Sequence, residues 1–483
     1  MPKARALHIN LMLCAAMLSL ASAHASAQSS PSDSQPNARP LAAALPLRAA
    51  AIGDRMNESL MSRVRSGDAG SVEALRLLAR DILQAVDSHP EVLSVSEQVG
   101  LARSVVTETR SGWYPQVAAT VDAGNKRATT TAGSGTTLTT QEGLGYGASI
   151  KQLVYDFGTT NALIDSAESR SKAASIRLQT KRSDVSLRAA LAWLELERAR
   201  QLRDLAEDNL QSRTDIFDLV RERFELGGSS RADVIRAEAR QADARASRVA
   251  AEVAFRNAVP AFREAFGRDP QQTTLPAELP LAINGQSLAE MAERFGGVRE
   301  AFALLDSSRS EAVAADGRTK PSFNFEVNGN RREQSVGGLP SIDTSALLVM
   351  RYNLFTGYAD SARREQAIRR VNQTEQDLAN LIRQVERNIE QAQAQVESAE
   401  ALIQSRRAAV RAASESLIAV KEQFAYNRGS LLDLLRVQED LYNAGRDLIN
   451  ASIDRRVAQY RLMHLISELE PRLIEASASA TPR

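Results

Sequence analysis

The chain has 483 residues, 60 Lys and Arg against 59 Asp and Glu, and a formal charge of +1. So balanced a charge gives no field to hold a polyanion, which argues against a nucleic-acid partner. Aromatic residues are only 5% of the chain, while Ala, Leu, Gln, Glu and Arg abound, a composition of long helices and coiled coils rather than of one large globular core.

In chain order, Lys3 and Arg5 precede an apolar stretch from Ile9 to Leu20, and Ala-x-Ala sites follow at Ala21/Ala23, Ala23/Ala25 and Ala25/Ala27. This predicts a signal peptide over 1–27, cleaved after Ala27. The stretch is too short for a membrane anchor. The only cysteine, Cys14, lies inside it behind Leu13, where an acylation site needs a small residue. The mature chain is thus expected to carry no lipid, disulfide, thiolate nucleophile or cysteine-bound metal. No later stretch reaches the roughly 18 apolar residues of a spanning helix, although membrane strands give a weaker signal.

Residues 28–70, rich in Ala, Ser and Pro, read as a flexible N-terminal extension with room for a short helix. A helical pattern runs from Val72 to Val86 and restarts at Ser88-His89-Pro90-Glu91, with Pro in the first turn, to reach Arg110. Period-two alternation then predicts strands over 115–124 and 144–155, joined by a Gly/Thr-rich loop. Val117, Ala119, Val121 and Ala123 form one face of the first; Leu144, Tyr146, Ala148 and Ile150 form one face of the second. A long helix follows from Thr160 to Phe224, then a Gly/Ser break, then a returning helix that stops at Gly267-Arg268-Asp269-Pro270.

The same order recurs. Strands are predicted over 321–330 and 346–355, a long helix over Asp360–Phe424, and a returning helix ending before Pro471. Each long helix would span roughly 95 Å. Leu378, Leu381, Val385, Ile389, Ala392, Val396 and Ala399 step by 3 or 4 residues, a narrow coiled-coil seam. The segment Phe224 to Val234 recurs as Phe424 to Leu434, an offset of 200 (424−224) shared by Leu153-Val154-Tyr155 and Asn353-Leu354-Phe355. The chain therefore divides into repeat 1 (71–270), repeat 2 (271–470) and a tail (471–483), each repeat with two strands and one helical hairpin.

Four strands in lipid would leave two open edges, and lipid-facing backbone must be paired. Two chains would give a barrel filled by its own side chains; three would give twelve strands and a lumen. The fold class expected is mainly α with a membrane β-barrel: a two-repeat protomer, a trimeric twelve-stranded barrel and an α-helical tunnel that continues it.

Several motifs in order carry a resemblance to a known family. They are Ser111-Gly-Trp-Tyr-Pro-Gln116, Leu153-Val154-Tyr155-Asp156-Phe157-Gly158 with its counterpart Tyr352-Asn353-Leu354-Phe355-Thr356-Gly357, the paired turns at 224–234 and 424–434, and the Gly-Arg-Asp-Pro stop. Over about residues 72–470 the chain resembles the TolC family of outer-membrane efflux and secretion channels. The resemblance implies a homotrimer in outer-membrane lipid with an α-helical periplasmic tunnel, docked to a periplasmic adaptor (membrane fusion) protein and an inner-membrane ABC or RND transporter. It implies a role in type I protein secretion or multidrug efflux. It places Phe224, Gly227, Gly228, Asp233, Phe424, Asn427 and Gly429 at the periplasmic tip where adaptors engage, and Asp433 and Arg436 at the entrance constriction. Asn427 stands where the family has Gly, Arg436 where some relatives carry an acid, and Phe424 lacks a hydroxyl that some relatives use as a latch. Asp233 and Asp433 equally suit helix capping. The run Leu431-Leu432-Asp433-Leu434-Leu435 also resembles channels serving large secreted adhesins, and the missing lipidation cysteine favours type I protein secretion or a general-purpose channel over the lipoprotein-type drug-efflux group.

No catalytic constellation emerges, and no cofactor or metal is expected. His8 and His24 belong to the signal, and His89 and His464 lie far apart. Gly143-x-Gly145-x-Gly147 lacks the Lys and helix of a phosphate loop, and Ser169-Arg170-Ser171-Lys172 lies in a charged helix. The competing readings are a soluble periplasmic coiled-coil adaptor, which needs only one helical hairpin, and an extracytoplasmic hydrolase, which needs a site.

Overall fold

The computed structural model describes residues 53–66, 70–132, 135–271, 273–279, 285, 287–333, 340–426 and 428–478. The signal, most of the extension and Asn427 lie outside the described residues. The elements are α1 (Asp54–Ser66), α2 (Val72–Ser88), α3 (Pro90–Arg110), β1 (Gln116–Ala132), β2 (Gly135–Tyr155), α4 (Thr159–Glu225), α5 (Arg231–Phe266), α6 (Leu288–Arg294) and α7 (Gly296–Gly317). They continue with β3 (Ser322–Arg332), β4 (Ser341–Arg351), α8 (Ala359–Ala425), α9 (Leu431–Leu465) and α10 (Leu469–Ala478).

The two long helices, α4 and α8, have 67 residues each, about 100 Å of rod. They start and end at an offset of 200 (359−159 and 425−225). Each long helix is entered through a tight turn with backbone in the left-handed region. Phe157 and Gly158 serve the first turn, Gly357 and Tyr358 the second. Before α4, the Asp156 carboxylate accepts from Thr160 N at 2.7 Å and from Gly158 N at 3.2 Å, satisfying first-turn donors that no helical carbonyl reaches.

The strands form one antiparallel sheet in the order β1-β2-β3-β4. β1 and β2 pair from Gln116↔Lys151 to Ala132↔Gly135, so the segment read as a Gly/Thr loop is strand. Its Thr runs are β-branched and suit a pleated ladder, which outweighs the glycines. At the other end, β4 stops at Arg351 rather than 355, because Ser322↔Arg351 is the last pair and Pro321 cannot donate beyond it. Tyr352 to Phe355 consequently leave the sheet.

Register sorts the sheet into two faces. Val117, Val121, Tyr146, Ile150, Phe325, Val327, Ala346, Leu348 and Met350 share one; Asp122, Ser149, Lys151, Asn324, Glu326, Asn328 and Arg332 share the other. Gly145 lies between Asp122 and Arg332 in the pairing, and a Cβ there would collide with the Asp122 carboxylate. Without it, Asp122 and Arg332 form an ion pair across the intervening strand, fastening repeat 1 to repeat 2. The Gly-x-Gly pattern is thus a slot for polar side chains.

The main core lies near the midpoint of the rods, where Trp193 packs 6.0 Å from Phe262 and 6.1 Å from Phe266, with Leu78, Ile82, Tyr460 and Leu473 around them. A second cluster joins Met291, Val298, Leu378, Val385, Ile389 and Leu462 of repeat 2. The inter-repeat linker is clamped onto the main core. Ser71 N donates to Leu275 O at 2.9 Å and Ala277 N to Ser71 O at 3.0 Å. Trp193 Nε1 donates to Thr274 O at 3.3 Å and Arg456 Nε to Pro276 O at 3.0 Å. Buried Glu197 accepts from Arg200, Gln201 and Thr273; a carboxylate can stay there because each lone pair has a donor.

The stretch 54–66, part of the expected flexible extension, is helix α1, with Met56 and Leu60 fully buried. The i, i+4 spacing of Met56 and Leu60 gives a short helix one apolar stripe, and the long helices cover it.

Glu91, half-exposed in α3, accepts from Lys181 at 2.6 Å and Arg188 at 2.8 Å, both on α4. Those hydrogen bonds hold its carboxyl at about 2, against an ordinary value of 4.5. A lowered carboxylate stabilises the fold fully above the ordinary value and loses that contribution as pH falls towards about 2. Glu91→Gln should therefore lower the melting temperature modestly near neutral pH, with the gap to the parent closing at about pH 2 in thermal scans.

Candidate functional site

The candidate site is the end of the rods remote from the sheet, where each hairpin reverses. In the first turn, Gly227 sits at φ 74°, Gly227 N donates to Phe224 O at 3.0 Å and Gly228 N to Arg223 O at 2.7 Å. Glycine allows this left-handed close without a steric cost. Ser230 then starts α5. Its Oγ accepts from Asp233 N at 3.1 Å, while Asp233 Oδ2 accepts from Ser230 N at 3.3 Å. Asp233 is the reciprocal partner in a capping box, so its carboxylate is spent on the turn itself.

The second turn differs. Arg428 N donates to Gln423 O at 2.8 Å, and Ser430 Oγ accepts from Leu432 N at 3.1 Å. A Cβ on Gly429 would lie 3.0 Å from Phe424 N, so the turn closes tightly there. Asn427 lies outside the described residues. Asp433 takes no part in a capping box; Asp433 and Arg436 are both exposed, and neither has an ion-pair partner among the described residues. The two aspartates share a position in the repeat but not a role.

Phe224, Leu226, Tyr426 and Leu432 are exposed around the two turns. Phe424 is buried, under the guanidinium of Arg223 with 4.4 Å from Cζ to the ring centroid. Arg223 also donates to Phe424 O at 3.3 Å. Further up, fully buried Arg213 of α4 donates to Leu435 O at 3.0 Å and to Glu439 at 2.8 Å, both on α9. Burial pulls the Arg213 guanidinium below its ordinary range, against the nearby Glu439 charge. These two arginines join hairpin 1 to hairpin 2. Sequence reading did not single them out because they break the repeat: 200 residues on stand Ala413 and Gln423.

The remaining candidates are structural. His89 Nδ1 accepts from Glu91 N at 3.2 Å and caps α3. His464 packs against Ser183 and the edge of Phe295, and burial lowers its pKa. No His, Cys, Asp or Glu cluster suited to a metal occurs among the described residues.

The family profile described as outer membrane efflux protein matches residues 82–268 and again 291–468, one match in each repeat. The chain belongs to this family. It is 24% identical over 408 residues to outer membrane protein TolC of Vibrio cholerae, covering 81% of this chain and 91% of that protein. It is 23% identical over 324 residues to outer membrane efflux protein BepC of Brucella suis, covering 66% and 71%. Among solved structures, CusC superposes with a TM-score of 0.72 at 15% identity, over 80% of this chain and 91% of that one. The chain is thus an outer-membrane channel component of tripartite efflux or secretion systems, with its helical body in the periplasm. The adaptor reading fails on this membership and on the doubled hairpin. The family is one of conduits rather than enzymes.

A cation–π contact at a partly exposed site contributes about 0.5–1 kcal/mol. If the Arg223–Phe424 contact opposes separation of the hairpins, Arg223→Ala should raise the open fraction of single channels about two- to five-fold. An unchanged open fraction would show that this contact only packs the tip.

Proposed function

We propose that three copies of this chain close a single twelve-stranded barrel and act as a passive conduit. The periplasmic tip docks an adaptor protein and, through it, an inner-membrane ABC or RND transporter that supplies the energy. The observation that carries this reading is the sheet itself: β1 and β4 have unpaired outer edges within the chain, and one face of the sheet is apolar. Open edges in lipid leave donors and acceptors without water, at several kcal/mol each. Sister subunits satisfy them edge to edge. Exposed Tyr114, Tyr155, Phe157, Tyr352, Phe355 and Tyr358 cluster at the strand ends next to the rods, where an aromatic girdle meets the headgroups.

The docking surface in this reading comprises Phe224, Gly227, Gly228, Asp233, Asn427 and Gly429; Phe424, expected there from the sequence, is buried under Arg223 and supports the tip from within. The glycines and Asp233 shape the two turns, and the exposed aromatic and apolar side chains meet the adaptor. Asp433 and Arg436 line the entrance. Three copies of each make adjacent acidic and basic rings, and their fields largely cancel at close range. The entrance is therefore weakly selective between cations and anions.

Purified protein in detergent should cross-link as a trimer and conduct ions across a planar bilayer; a monomer that passes no current contradicts the reading. Arg436→Glu should leave an all-acidic entrance and move the reversal potential in a salt gradient towards the cation value. A reversal potential that stays put removes Asp433 and Arg436 from the constriction. Comparing secreted proteins with drug sensitivity in a deletion strain separates type I secretion from multidrug efflux. Loss of one large secreted protein at unchanged drug sensitivity is the outcome expected.

A further inference from the structure

Helix α1 precedes the family match, which begins at residue 82. It lies along the seam between the two helical hairpins and touches both. Arg63 of α1 donates to Gln201 of α4 at 2.6 Å, and Arg55 lies 3.4 Å from Asp208 of α4. Asp54 pairs with buried Lys421 of α8, only three residues before Phe424 at the tip. Leu60 seats over Gly445 of α9, where a Cβ would come 2.7 Å from its methyl carbons. The bed exists once. At the 200-residue offset, Gly445 is replaced by Arg245 and Gln438 by Glu238.

The bed is also polar. Buried atoms of Asn57, Asn209 and Gln438 have no hydrogen-bond partner among the described residues, on three elements that meet here. Gln438 lies 3.1 Å from the Cβ position of Gly53, and Ser212, one turn after Asn209, lies 3.8 Å from it. Such groups regain water when the helix leaves, so docking is held by Met56, Leu60, two ion pairs and the Arg63–Gln201 hydrogen bond against a standing desolvation cost. A helix bound in this way opens locally at low cost. Ser71, five residues after the end of α1, is fixed to the linker through Leu275 and Ala277. A released α1 thus stays tethered beside its bed and can rebind rapidly.

We propose that α1 is a releasable strap that holds hairpin 2 against hairpin 1 and keeps the periplasmic end of the conduit narrow. Widening the tube at that end separates α4 from α8 and α9. With α1 docked, such a movement must also break Asp54–Lys421 and unseat Leu60. The proposal rests on the conduit reading, so its test has one readout that does not need current.

The whole mature chain, without the expected signal peptide, is used throughout. Asp54→Ala with Leu60→Ala should raise mean conductance several-fold. It should also lengthen the separation of spin labels placed at Asp218→Cys and Ala419→Cys. In Asp54→Ala carrying Leu60→Cys and Gly445→Cys, oxidation should return conductance to the parent value and reduction should release it again. The only native cysteine is Cys14, within the expected signal, so no other thiol competes. Parent-like conductance and label separation, in folded protein whose residues 54–66 exchange amide hydrogens freely, would overturn the strap. If the double alanine variant does not fold, the thiol pair decides: equal conductance oxidised and reduced rejects the proposal. If no variant conducts, the conduit reading has failed instead, and label separation in Asp54→Ala alone decides whether α1 holds the hairpins.

Discussion

Backbone polar groups cannot be left unpaired in lipid, and nearly everything in this chain follows from how it meets that constraint. Its four strands satisfy one another in the middle of the sheet and leave β1 and β4 open at the margins. In the proposed trimer, copies of the chain complete the sheet that one protomer cannot seal. The same constraint explains the polar face. Asp122 and Arg332 reach each other across Gly145, and Glu326 lies 3.9 Å from Arg351. Charges that face a lumen can stay hydrated or paired, whereas on the lipid face each would cost about 2–4 kcal/mol near the midplane.

The rods solve a different problem. Helices of 67 residues cannot bury a wide apolar face along their length and remain soluble before assembly. Their seams are narrow and rich in alanine, so each contact contributes little and the sum depends on length. At the midpoint the packing is aromatic: Phe262 and Phe266 stack, Trp193 meets them tilted and edge-on, and the linker is pinned by Ser71, Trp193, Glu197 and Arg456. A Cβ on Gly70 would fall 2.2 Å from Pro276 O at φ +71°, so glycine is required where the chain crosses the linker. Towards the tip, Ile216, Leu219, Val220, Leu417, Leu434 and Leu441 stay buried, and Arg213, Arg223 and α1 add polar contacts between the hairpins.

Much of this was legible in the sequence because it is written in periodicity. The long helices were bounded to within one residue by the Gly/Ser breaks and the positive-φ turns before them, and the strand faces followed from alternation. Local composition misled where pairing decides the outcome. Residues 124–132 and 135–143 read as loop from their glycines but form ladder, while Tyr352 to Phe355 read as strand from the offset but lack a partner beyond Ser322. The tip was legible as two turns, yet not as two different ones. Ser230 reaches Asp233 N whereas Ser430 reaches Leu432 N, a difference of one residue in hydrogen-bond choice that no residue type announces. Arg213 and Arg223 escaped notice because a search for repeats finds what is shared.

Duplication gives a tube built from equivalent hairpins, and equivalence is a liability for a gate. If every seam were the same, no seam would be first to open. The departures from the repeat fall on one seam. Arg213 and Arg223 have no counterparts at Ala413 and Gln423, Gly445 corresponds to Arg245 in the other repeat, and α1 itself occurs once among the described residues. The seam between hairpin 1 and hairpin 2 of one chain is therefore chemically distinct from the seam that hairpin 2 would share with a neighbouring copy. Its binding terms oppose one another. Burying Met56 and Leu60 contributes about 1.5–3 kcal/mol each, and every buried amide atom left without a partner costs about 1–3 kcal/mol. In the proposed strap, opposing terms of this kind let the helix leave its bed locally. A tighter, fully apolar bed would have made the same helix a permanent part of the wall.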